Sequence, residues 1–239
     1  MQFKRPSKFN DPFDCDPEMD EHEHLNYAKD LIKKAGDDLG LSPAGLMVKG
    51  VETALQNREL SQNLADNVGI CSLSRDPLNL LMWAHYAKDH TGFVVEFCIP
   101  THTKKFREED ALKRLTPLEV KYEKTKPIVN PYEEYRVLCE KYFLVKGDDW
   151  IYEQEERVVD SLRGPGIHPY ERKVILKSVI AGMRMCDDHL AILKNTVEAM
   201  NAELGINVAV YKAEPLKGKF ALSVPGRDDL SSNPARTHA

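Results

Sequence analysis

The sequence predicts an α+β fold: a mainly antiparallel sheet with flanking helices and an N-terminal helical insertion. Three observations carry that expectation. Strand-like apolar runs and amphipathic helical stretches follow one another without a regular strand–helix–strand rhythm. Helical spacing dominates residues 19–67, ahead of the first strong strand run. The chain has 239 residues, 42% of them hydrophobic, which is enough to bury a core without metal or disulfide staples. One domain is expected over residues 1–224, with 19–67 as its helical insertion and 225–239 as a disordered tail rich in Ser, Pro, Asp and Arg.

The elements follow in order. Asp11-Pro12 marks a turn, because the residue before a proline leaves the helical region, and Phe9 and Phe13 flank it. Leu25, Ala28, Leu31, Ile32 and Ala35 recur at helical spacing, with Gly36 placed to close that helix. Ser42-Pro43 opens a second helix in the cap-then-proline pattern, with Leu46, Met47, Val51, Ala54 and Leu55 on its apolar face. Residues 69–74 alternate as a strand. Asp76-Pro77 starts a helix over 78–87, and Gly92 stops it before a strand run at 93–99. A charged surface segment covers 102–114, and a strand follows at 118–122. Residues 133–145 are helical, with Tyr135, Leu138, Cys139, Tyr142 and Phe143 sharing a face. Arg157 opens a short strand, and 174–182 reads as a buried one. A helix over 187–204 ends at Gly205, and 206–211 and 219–224 supply the last two strands.

Composition excludes several function classes. Thirty-three Lys and Arg stand against 38 Asp and Glu, a net charge of −5, which argues against a general nucleic-acid-binding surface. No apolar run approaches the roughly 18–20 residues of a membrane span, and the first residues lack the apolar core of a secretory signal. The five cysteines are widely spaced with no paired motif, the pattern of free thiols in a cytoplasmic protein. His85 and His90 lie five apart rather than the four of a helical metal pair, so no metal is expected. The acids of residues 14–23, with His22 and His24, read as the solvated start of a helix. Fingerprints of dinucleotide-binding, P-loop, nucleophile-elbow and zinc-protease sites are absent from the sequence.

Two stretches carry candidate chemistry. Ser72, Ser74 and Arg75 end a strand, and Trp83, His85 and Tyr86 follow on the next helix. There Trp83 and Tyr86 share a face and His85 points elsewhere. Trp83 suits either a core or the wall of a pocket. In the second stretch Glu153, Glu155 and Arg157 alternate, which in an extended chain puts two carboxylates and a guanidinium on one face. Trp150 and Tyr152 flank them, and carboxylates held near apolar walls take on shifted proton affinities. The Asn10–Asp14 cluster is read as a structural lock, since Asn and Asp side chains close turns.

Taken in order, residues 9–14 (Phe-Asn-Asp-Pro-Phe-Asp), 71–74 (Cys-Ser-Leu-Ser), 81–87 (Leu-Met-Trp-Ala-His-Tyr-Ala), Gly92-Phe93 and the Trp150–Arg157 motif resemble a widespread, mainly bacterial family of proteins of unknown function. The resemblance spans roughly residues 9–213. Position 156 is Glu where that family usually has Trp. Only eight residues precede Phe9, which leaves the family's usual leading strand missing and makes the start of the chain look truncated. The motif order is also similar to that of ADP-ribosyltransferases: a Ser-bearing strand, a Tyr-bearing helix, then a late Glu. That likeness implies NAD as the cofactor and Glu155, Tyr86 and His85 as catalytic residues. Ser72, Ser74, Arg75, Trp83, Glu153 and Arg157 would then contact the ligand. The alternatives are a non-catalytic module binding a ligand or partner through the same residues, and a nuclease-like effector.

Overall fold

The structure, a computed structural model, describes residues 1–39, 65–99 and 112–230. It is an α+β fold with several small, mostly antiparallel sheets. In chain order the first elements are β1 (Gln2–Phe3), β2 (Glu18–Met19), α1 (Glu21–Leu39), β3 (Gly69–Ser74), α2 (Leu80–Tyr86) and β4 (Phe93–Phe97). Next come β5 (Leu118–Glu119), β6 (Lys121–Glu123), β7 (Ile128–Val129), α3 (Tyr135–Phe143), β8 (Val145–Gly147) and β9 (Glu155–Asp160). The last are β10 (Gly166–Ile167), α4 (Arg172–Ile175), β11 (Leu176–Ala181), α5 (Asp187–Leu204), β12 (Ala209–Lys212), β13 (Glu214–Pro215) and β14 (Leu222–Ser223). The contacts divide the chain into two compact units. The first comprises Met1–Ser72, Pro117–Ile151 and Glu156–His168, and the second Leu73–Thr116, Tyr152–Glu155 and Pro169–Ala239.

In the first unit, β1 pairs antiparallel with β10 and Lys4 bridges to Ile70, so a short strand does precede Phe9. β9 lies between β3 and β5, with Leu118 opposite Arg157 and Glu119 opposite Glu156. The single strand expected at 118–122 is cut in two. Val120, 3% exposed, separates β5, which joins β9, from β6, which runs parallel to β8. Cys15, Ile70, Val129, Tyr142 and Phe143 form the core. Gly69 is required by close approach, since a Cβ there would lie 2.4 Å from the Gly164 carbonyl oxygen. The Asp20 carboxylate accepts from the Glu23 amide at the start of α1. That helix runs through Gly36 to Leu39, because a glycine permits a helix end without imposing one. The second helix expected in the insertion, and most of the charged segment at 102–114, lie outside the described residues.

In the second unit, β11 pairs parallel with β12 and antiparallel with β4, with a register shift between Leu176 and Ser178. Val179 and Val208 pack with Val197, Leu193 and Met200 of α5, and Gly205 at φ 64° closes that helix as expected. The strand expected from 174 starts only at Leu176, because Arg172–Ile175 forms a helical turn. The strand expected at 219–224 shortens to β14.

α2 also starts later than Asp76-Pro77 suggests. The Asp76 carboxylate accepts from the Leu78 amide and forms a turn of its own, and Asn79 caps the helix by accepting from Leu81 and Met82. Trp83 is 1% exposed and packs with Leu78, Ala87, Ile180, Ala213, Leu222 and Val224. After α2 three non-glycine residues in succession, Lys88, Asp89 and His90, take positive φ. The turn brings the His90 carbonyl against Gly182, where a Cβ would lie 2.1 Å from it.

The segment expected as a disordered tail is ordered at its start. Residues 225–230 are described, and Arg227 is buried, bonded to both Glu96 oxygens and to Asp229. A chain with a buried ion pair at this point is tied down whatever its composition suggests.

Candidate functional site

The end of β3 and the start of α2 hold residues 152–154 in place by their backbone. Ser74 Oγ donates to the Glu153 carbonyl at 2.7 Å, the Arg75 amide to the Gln154 carbonyl at 3.1 Å, and Asn79 Nδ2 to the Tyr152 carbonyl at 2.9 Å. These bonds use polar groups at a strand end and a helix cap, where backbone partners run out. They fix the Glu153 side chain where the last residue of α2 reaches it. The Tyr86 hydroxyl donates to Glu153 Oε1 at 2.6 Å, the short distance of a charge-assisted bond. Beside it, Tyr152 Oη lies 3.2 Å from His85 Nδ1, with the two rings 6.1 Å apart and edge-on. Glu153 is 3% exposed and Tyr86 49%, so a buried carboxylate is bonded by a half-exposed phenol.

The structure brings Ser74, His85, Tyr86 and Glu153 together within the second unit. Arg75 joins them by its backbone. The sequence named Tyr152 only as a flank of the acids and left Asn79 aside, although an Asn two residues after a proline, at the head of a helix, is a recognisable cap signal. Trp83 turns into the core, its Nε1 donating to the Pro77 carbonyl at 2.8 Å, and Ser72 ends the stretch assigned to the first unit. Two residues of the second stretch part from the rest. Gln154 has φ 44°, and this left-handed residue ends the short 3-10 helix Asp148–Glu153 and starts β9. Glu153 therefore leaves the strand on which it was expected to share a face with Glu155 and Arg157. The latter two do alternate along β9, 5% and 0% exposed.

Arg157 belongs to the first unit, where it meets the Asn10–Asp14 cluster. Its guanidinium grips Asp14 with both ends of the fork, at 2.9 and 2.5 Å, and donates to the Phe143 carbonyl at 2.9 Å. The Phe9 ring centroid lies 5.4 Å from its central carbon, and Lys146 Nζ lies 3.6 Å from the same Asp14. Of the cysteines, Cys71 is buried and its thiol is pushed up to about 11 by that burial, the opposite of what a nucleophile needs. Burial also raises the Asp76 carboxyl, against amide hydrogen bonds from Leu78 and Asn79 that lower it. Among the described residues, no group of three or more His, Cys, Asp and Glu side chains is placed to hold a metal, and no helix is long and apolar enough to cross a membrane.

Over residues 82–158 the chain is similar to a family described as protein of unknown function (DUF2971). That span takes in His85 and Tyr86 and the stretch from Trp150 to Arg157. No curated protein and no solved structure matches the chain.

Proposed function

We propose that the protein binds a small hydroxyl-bearing ligand at Tyr86 and Glu153, and that the ligand is NAD, used in an ADP-ribosyl transfer. The observation that supports this is the buried Glu153 carboxylate, held 2.6 Å from the half-exposed Tyr86 hydroxyl. The donor set fits NAD. A carboxylate beside a phenol accepts from ribose hydroxyls, and the ring of Tyr86 has an open surface for a planar base. Bound NAD would supply an ADP-ribosyl group that passes to a nucleophile of the acceptor as nicotinamide leaves, and a fixed negative charge would stabilise the positive charge developing on the ribose. In this reading Glu153 supplies that charge, Tyr86 orients it, and the His85–Tyr152 pair borders the acceptor side. Glu155 and Arg157 support the strand that follows.

One observation favours the non-catalytic alternative. At 3% exposure Glu153 is enclosed, as suits a group that recognises a ligand and does no chemistry. Calorimetry with NAD, combined with an assay of nicotinamide release, separates the readings. Binding that weakens at least about tenfold in Glu153→Gln, the loss expected when a charged hydrogen bond is removed, with release abolished in the same variant, supports transfer. Binding without release leaves the module. No binding of NAD by the folded chain removes the NAD reading.

A further inference from the structure

The turn at Asp11–Asp14 serves two ends. Asp14 secures Arg157, but Asp11 and Phe13 line a cavity of about 280 Å³ within the first unit. Asp11 Oδ1 accepts from the Phe13 amide at 2.9 Å, which closes the turn and holds the Phe13 ring 69% exposed. The Phe13 ring thus lines the cavity while keeping an open surface. Trp150 lines the same cavity from the 3-10 helix Asp148–Glu153. Each ring carries an ammonium: Lys126 Nζ lies 5.2 Å from the Phe13 centroid, and Lys146 Nζ 4.9 Å from that of Trp150. Lys126 also bonds Asp16, another lining residue, at 2.7 Å.

The charges around the cavity decide what it fits. Four lysines and five acidic residues line it, so the signs nearly cancel. A phosphate or other polyanion gains little net attraction there. What the lining offers is donors and acceptors side by side, with two aromatic rings among them. A hydroxyl both donates and accepts, so neighbouring hydroxyls on one ring satisfy a carboxylate and an ammonium together, while the ring's C–H face covers an aromatic surface.

The geometry points to a binding site in the first unit for a neutral polyhydroxylated ring, a sugar that is either free or part of a nucleoside. Phe13 and Trp150 supply the stacking surfaces, and Asp11, Asp16, Lys126 and Lys146 the polar contacts. This site uses neither Tyr86 nor Glu153 and does not rest on the reading given to them.

Saturation-transfer NMR on the full chain tests it, with glucose, adenosine, glycine and methyl phosphate each at millimolar concentration. Transfer to adenosine alone identifies a nucleoside, and transfer to glucose, with or without adenosine, a free sugar. Either supports the site. Trp83 is 1% exposed and Trp150 is the other tryptophan of the chain, so the ligand's change in fluorescence is expected to vanish in Trp150→Phe while binding persists. Phe13→Ala, at an exposed position, is expected to keep the melting temperature and to weaken binding about tenfold, the upper range for one aromatic contact. Silence from both neutral ligands, preference for methyl phosphate or glycine, or an unchanged affinity in Phe13→Ala overturns the assignment.

Discussion

Arg157 in the first unit and Arg227 in the second are both enclosed arginines that join acids far away in sequence. They differ in the water their partners keep. The Asp14 side chain is 2% exposed, so the whole Arg157 pair is out of solvent. Glu96 keeps 22% of its surface and Asp229 58%, so the Arg227 cluster still touches water at its rim. Charges removed from water depend on each other completely, because neither can fall back on hydration when the other is lost. Charges at a rim retain that refuge, and their attraction is weakened by pH and salt. The first arrangement works as a permanent lock on the core. The second is a latch for the chain after β14, and its strength follows the solution. The Tyr86–Glu153 bond carries this further, since its donor is half in water.

Three experiments test that gradient, from the most buried pair outward. Asp14→Ala leaves the Arg157 guanidinium buried without its carboxylate and is expected to destabilise the fold by about 3–5 kcal/mol, read by chemical denaturation. A loss below about 1 kcal/mol, the level of an exposed pair, would show that the lock is no stronger than the surface.

The latch is expected to respond to pH. Burial acts to raise Glu96, but bonds from Arg227, Ser178 and Lys177 prevail and hold it at about 2, below its ordinary 4.5. The bond from Arg227 likewise lowers Asp229 from 3.8 to about 2. A carboxylate whose folded value is depressed stabilises the fold fully above its unfolded value and loses that contribution as pH falls through the folded one. The difference in melting temperature between the unaltered chain and Arg227→Ala should therefore be constant above about pH 4.5 and shrink from there toward pH 2. A difference that stays level down to pH 2 means these carboxylates do not drive the latch.

Tyr86→Phe removes one hydrogen bond at a half-exposed position and is expected to cost about 0.5–1.5 kcal/mol. Its effect on ligand binding should exceed its effect on melting. The reverse order would make Tyr86 a structural residue.

What was legible in the sequence was what depends on neighbours along the chain. The periodicity of 187–204 and the glycine at 205 foretold α5 and its left-handed end, and the run at 93–99 foretold β4, which ends at Phe97. Tyr86 and Glu153 were both named by residue type, but their contact with each other was not. The alternation of Glu153, Glu155 and Arg157 assumes an unbroken strand, and one left-handed residue at Gln154 invalidates it. Asp76-Pro77 carries the ordinary signs of a helix start, yet Asp76 spends its carboxylate on its own turn and Asn79 takes the cap.

By itself, then, the sequence determined the α+β class, the main helices and strands of regular pattern, and the kinds of side chain available for chemistry. These rest on backbone preferences and apolar spacing, which act over a few residues. Only the tertiary structure decided that Arg157 belongs to Asp14, that Glu96 waits for Arg227 and that Tyr86 meets Glu153. Those partners lie 143, 131 and 67 positions apart, and no local preference reaches so far. Burial makes such pairings binding, because a charge taken out of water must find its partner wherever the fold brings one.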